Sequence, residues 1–206
     1  MKRLIGLAAG SFLAVMMSSG AQATPVHYGT LLTGMYQNPP IVTLAYGIAN
    51  VWIDAVANTM RVDVTFNLLA GPATAAHIHC CVAAPGNAGV ATPVPSFPGF
   101  PIGATSAGFT TPEYDQTFDM TLASSYNPAF ITANGGTPLT AEAALFAGIM
   151  DGTAYFNIHD TVYPAGEIRG FLQRAPVMPA PEPATLALAG FGLLAAFGLR
   201  KRRAAR

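Results

Sequence analysis

An all-β domain, either an antiparallel β-sandwich or a Greek-key barrel with one short helix, is the fold class this 206-residue chain predicts. Three observations carry that expectation. From residue 60 to 68, Met60, Val62, Val64, Phe66 and Leu68 alternate strictly with Arg61, Asp63, Thr65 and Asn67, the period of a half-buried antiparallel strand. Further short runs of the same kind recur along the chain, separated by turn residues. One segment alone, residues 140–150, reads as a helix, and many short strands with a single helix fit a sandwich or barrel.

The elements follow in order. A strand over Ala45–Ala55 joins the alternating one through a turn at Asn58-Thr59, making a hairpin that Gly71-Pro72 terminates. "TAAHIHC" (residues 74–80), "QTFDMTL" (116–122), "TAYFNIH" (153–159) and "GEIRGFLQ" (166–173) are further strands. "TAEAALFAGIM" is the helix, with Thr140 as candidate N-cap. Residues 82–112 are rich in proline and glycine and read as a long excursion over the surface.

Both ends are addressed elsewhere. Lys2 and Arg3, an apolar run from Leu4 to Met17 and the small residues of Ala21-Gln22-Ala23 have the layout of a secretory signal peptide over residues 1–23, cut before Thr24. At the other end, the uncharged residues 184–199 precede Arg200, Lys201, Arg202 and Arg203. This run is predicted to be a single membrane helix with its basic block held in the cytoplasm. As a helix it reaches about 24 Å, short of the ~30 Å hydrocarbon core, which fits transient insertion in the inner membrane better than permanent anchoring. Residues 174–183, with four prolines, form a stiff spacer. Pro181-Glu182-Pro183, the apolar run and the arginine-rich tail together resemble a PEP-CTERM sorting signal. That resemblance implies a Gram-negative bacterial protein, processed by a membrane-embedded exosortase and delivered to the cell surface or extracellular matrix.

The remaining residues, 24–173, make one domain with room for a core. Its bases are Arg61 and Arg169 against nine acids, a net charge of −7, and a basic surface for nucleic acid is excluded.

Strand phase gathers the polar residues. In 74–80, Ala76, Ile78 and Cys80 share one face, while His77, His79 and, if the strand continues, Cys81 share the other. Phe156 and Ile158 mark a core face that leaves Asn157 and His159 opposite; Ile168 and Leu172 do the same for Glu167 and Arg169. If the three strands are neighbours, His77, His79, His159, Asn157, Glu167 and Arg169 form one polar patch. The combination "AAHIH", "YFNIHD" and "GEIRG", preceded by "LLTGMYQNPPIVTLAYGIA", resembles the CHRD domain, the chordin-type module, over about 27–173. The resemblance implies a secreted β-rich module with no assigned catalytic reaction.

Two chemistries fit the patch. His-x-His on a strand aims two imidazoles the same way, and His159 from a neighbour would complete a three-nitrogen site for copper or zinc with an open fourth position. The pattern is similar to the His-x-His strand of copper-zinc superoxide dismutases, without that family's fuller ligand set. Alternatively the residues form a hydrogen-bonded cluster fixing strand register, the histidines bonding backbone or Glu167. Cys80 and Cys81 leave three outcomes open: a disulfide between neighbours, an intermolecular bridge, or free thiols beside a metal. Glu113 and Asp115 flank Tyr114 in a loop before a strand and read as a solvated edge, and His27 as incidental. The chain carries no Gly-x-Ser-x-Gly elbow, phosphate-binding glycine loop or His-Glu-x-x-His. The sequence therefore reads as an exported module that binds a matrix polymer or protein rather than as an enzyme, with a metal-holding or redox protein as the competing class.

Overall fold

The computed structural model describes residues 24–104 and 111–176. The expected signal peptide, the Pro181–Pro183 motif, the expected membrane helix and the basic block at Arg200, Lys201, Arg202 and Arg203 lie outside the described residues. Eight strands, β1 (Val26–Thr33), β2 (Tyr46–Asp54), β3 (Thr59–Asn67), β4 (Ala73–His79), β5 (Glu113–Asp119), β6 (Tyr155–Asp160), β7 (Ile168–Phe171) and β8 (Gln173–Arg174), join in one antiparallel sheet. Its order is β4-β6-β7-β1-β2-β3-β5, with β8 paired to β1. The all-antiparallel class is as expected, and the strands curl into a half-barrel within a single sheet.

The alternation of β3 is realised in its burial: Met60, Val62, Val64 and Phe66 are fully buried, and the residues between them are half-exposed. Its hairpin with β2 closes at Asp54 opposite Thr59. The Asp54 carboxylate accepts the Val56 and Ala57 N–H groups, both at 2.9 Å, and Asn58 takes the left-handed φ of +52° that the turn needs. The turn is therefore Ala55–Asn58, and Thr59 already belongs to the strand. β5 begins at Glu113, three residues before the expected start, because Tyr114 continues the buried phase. Glu113 and Asp115 thus lie on an edge strand, where Asp115 accepts two hydrogen bonds from Arg61 at 2.8 and 2.7 Å.

Among the described residues of the domain two α-helices are present where one was expected. α1 (Pro128–Ala133) is a short helix capped by Asn127, whose side chain accepts the Ala129 N–H at 3.0 Å. α2 (Pro138–Met150) begins earlier than read from sequence. Thr137 is its N-cap, and Thr140 is the N3 partner of a reciprocal capping box, with proline at N1. Leu145, Phe146 and Ile149 of α2 join Ile78, Phe156, Ile158 and Ile168 of the sheet in the core. Each such side chain contributes roughly 1.5–3 kcal/mol relative to exposure.

The proline-rich segment does more than cross the surface. Along the free edge of β4 it receives the Ala76 N–H on Ser96 Oγ (3.0 Å), the Ile78 N–H on Thr92 Oγ1 (2.9 Å) and the Cys80 N–H on the Gly89 carbonyl (3.1 Å). The Ala91 and Phe97 N–H groups return bonds to Ile78 and Ala76. Phe97 and Phe100 are buried in the core, which anchors the segment. An exposed strand edge is a template for unwanted pairing, and here it is covered. Among the described residues no helix is long and apolar enough to cross a membrane.

Candidate functional site

β4, β6 and β7 are consecutive in the sheet, and their register places His77 opposite Asn157 and Asn157 opposite Arg169. His159 lies across from Ala75, and His79 across from Tyr155. Because alternate residues project together, His77, His79, His159, Asn157 and Arg169 stand on one face, and Ala76, Ile78, Phe156 and Ile158 on the apolar one. This polar face is also covered. His77 is 6% exposed, His79 8%, Asn157 3%, Glu167 0% and Arg169 1%, while His159 is half-buried.

Burial obliges each polar atom to find a partner, and the covering loops supply them. Glu167 accepts the Ala70 N–H on both oxygens (3.2 and 3.0 Å) and the Thr43 hydroxyl. Burial is the main cause holding its carboxyl above the usual range. Arg169 donates to the carbonyls of Tyr36, Gly86 (3.2 Å) and Pro85 (2.8 Å) and to Asn87 Oδ1 at 2.7 Å. Glu167 and Arg169 do not pair, and neither histidine of β4 bonds Glu167. Asp160, which no sequence pattern singled out, is fully buried and accepts the Gly71 N–H at 2.6 Å and that of Tyr163.

The histidines follow one rule. His77 Nε2 bonds the Pro95 carbonyl at 2.8 Å, His79 Nδ1 the Ala88 carbonyl at 2.9 Å, and His159 Nδ1 the Pro164 carbonyl at 3.0 Å. A carbonyl only accepts, so each bonded nitrogen carries the hydrogen and the other nitrogen presents its lone pair. Burial, reinforced by the charge of His159, lowers His77 to about 4. Burial, with the charges of His159 and Arg169, lowers His79 to about 4, and burial lowers His159 as well. All three rings are therefore neutral near pH 7.

The three rings meet, with His77 Nδ1 facing His159 Nε2. One donor atom from each ring lies within 4.8 Å of the others. His77 Nδ1 and His159 Nε2 are 3.4 Å apart, a contact of lone pair with lone pair that no proton bridges once both rings are neutral. His79 Nε2 is buried with no hydrogen-bond partner. Besides His77, His159 Nε2 has a long 3.4 Å contact from Asn157 Nδ2, whose own Oδ1 accepts from Gln37 at 2.7 Å. Two imidazole nitrogens on one tetrahedral zinc, each at 2.0–2.1 Å, stand about 3.4 Å apart.

The other candidates fall outside this cluster. Cys80 and Cys81 are joined to each other in a disulfide, so among the described residues no free thiol remains to bind metal. The bridge sits against Gly148 of α2, where a Cβ would collide with both sulfurs. His27 lies on β1, stacked on Trp52 at 4.5 Å and bonded to Asn50 at 3.0 Å. Sequence reading did not find Pro95, Ala88 and Pro164, whose contribution is a backbone carbonyl that any residue type supplies.

Fold and site define the class: an antiparallel half-barrel module whose cluster of ionisable groups is buried under loops on the sheet's second face. The family model for the CHRD domain matches residues 28–172, and the chain belongs to that family. The PEP-CTERM protein-sorting motif matches residues 179–203. That motif implies processing by an exosortase-type sorting enzyme, export, and association with the surface of a Gram-negative bacterium. No curated protein and no solved structure matches.

Proposed function

We propose that this CHRD domain holds a transition-metal ion, copper or zinc, on His77, His79 and His159. In this reading residues 1–23 direct export, 24–173 form the working domain, 174–183 are the spacer and 184–206 direct sorting. The observation that carries the proposal is the convergence of three histidines, one ring nitrogen of each within 4.8 Å of the others, whose tautomers are set by backbone carbonyls. A cluster serving only to fix register has no need of two facing lone pairs or of an orphaned His79 Nε2. Metal-ligating histidines characteristically donate their second N–H to a carbonyl or carboxylate, which aims the ring and raises its basicity. Three imidazoles leave one coordination position open, and imidazole suits copper and zinc alike.

The test is metal analysis of protein purified from defined medium. One equivalent of copper or zinc is expected, with affinity falling at least about 100-fold in His79→Ala while circular dichroism stays unchanged. Wild-type protein that takes up neither metal would end the proposal.

A second reading, a matrix-binding module, draws on the same face of the sheet further along, on β1 and β2, where Thr33 stands opposite Arg169. Leu31 on β1 and Ile48 on β2 are cross-strand partners, and both are half exposed beside Tyr46. That apolar surface suits contact with a matrix polymer or protein.

A further inference from the structure

The metal reading leaves a charge to be answered. Arg169 is buried, yet every hydrogen bond it makes goes to a neutral acceptor, and among the described residues no carboxylate lies within 4 Å of it. Asp160 acts on His159 through its charge but spends its hydrogen bonds on backbone N–H groups, and the Glu167 carboxyl, held above its usual range by burial and Asp160, faces Ala70 and Thr43. A divalent ion on three neutral imidazoles would add two more positive charges and bring no anionic donor. Buried charge without a counter-ion costs several kcal/mol, and Asp160 alone does not match Arg169 plus a divalent ion, so the remaining balance has to come from solution.

A space adjoins the cluster. A cavity of about 400 Å³ is lined by His79, Tyr155, Asn157, Arg169, Asn38 and Asn87. Its wall meets the histidine cluster at His79 and at Asn157, whose Nδ2 is 3.4 Å from His159 Nε2. Tyr155 is stacked by His79 with ring centroids 4.8 Å apart and carries the Arg169 guanidinium 4.6 Å from its centroid. The space is too large for a single water and rich in amides, which suits a small ligand with oxygen acceptors.

We infer that this cavity admits a small anion of the carboxylate class, which takes the open coordination position beside the three histidines within the field of Arg169. The inference rests on the metal reading. No electron transfer is involved: the anion replaces a solvent ligand on the ion.

The full chain, purified in detergent and loaded with one equivalent of copper(II), is titrated with azide as a coloured probe and then with acetate as competitor. A saturable one-to-one azide-to-copper absorption, displaced by acetate, is expected. Asn87→Asp gives Arg169 the carboxylate it lacks without changing side-chain shape. It is expected to weaken azide binding at least about tenfold while copper stoichiometry holds. Asn38→Asp, in the same cavity, serves as a second variant should the first fail to fold. Copper bound stoichiometrically with no azide response overturns this inference alone, as does wild-type azide affinity in both folded variants. Absence of bound copper and zinc overturns the metal reading and this inference with it.

Discussion

The two faces of β4, β6 and β7 are built from the same strands in opposite phase, and both are buried. On one, Ala76, Ile78, Phe156 and Ile158 pack against α2 and the proline-rich segment, where only volume and apolarity matter. On the other, His77, His79, Asn157 and Arg169 each need a partner of the right polarity in the right place. The apolar face demands a residue class; the polar face demands individual atoms. Among the described residues His79 Nε2 is the buried side-chain atom left with no partner, and it sits beside the facing lone pairs of His77 and His159, so the unmet demand is concentrated at the histidines.

The comparison can be broken from either side. On the apolar face, Phe156→Ala leaves a cavity among fully buried neighbours and is expected to cost about 3–5 kcal/mol in denaturant unfolding, with the metal stoichiometry retained in the folded fraction. On the polar face, acid is the sharper tool. His77 and His79 titrate near 4 when folded and near 6.5 when unfolded, so between those values the unfolded chain binds more protons. Stability of the metal-free protein therefore falls as pH drops from 6.5 to 4 and levels off below, by at most about 3 kcal/mol per ring. Thermal melts across that range check it, and a His77→Gln/His79→Gln variant is expected to lose most of the slope. The smallest effect belongs to Gly166→Ala. Gly166 has a φ of +117°, and a Cβ there would collide with the Asn157 side chain. The expected cost is about 1–3 kcal/mol, together with weaker metal binding as Asn157 is pushed toward His159. Stability and copper affinity that both match wild type would show that Asn157 is not held in place by its neighbour.

How much of this was legible in the sequence follows the same division. The phase of β3, and the phases that put His77, His79, Asn157, His159 and Arg169 off the core, depend on alternation alone and could be read directly. Strand order could not, since β6 and β7 lie more than 70 residues after β4 and nothing local pairs them. Nor could the cover: Tyr36, Pro85, Ala88, Pro95 and Pro164 act through carbonyls, so their side chains give no signal. The helix start was readable and misassigned. Thr137 followed by Pro138 is the stronger N-terminal pattern, and Thr140 drew attention because it precedes the apolar run. Asn127-Pro128 carries the same signal for α1.

Residues 88–97 hold two unrelated things in place at once. Through Ala88 and Pro95 this strip locks the proton positions of two imidazoles, and through Gly89, Thr92 and Ser96 it seals the rim of β4. Peeling it away frees both rings to turn and bares a row of amides to any neighbouring chain. For a protein sent to a crowded cell exterior, losing its grip on a ligand and becoming adhesive to its own copies are then a single event.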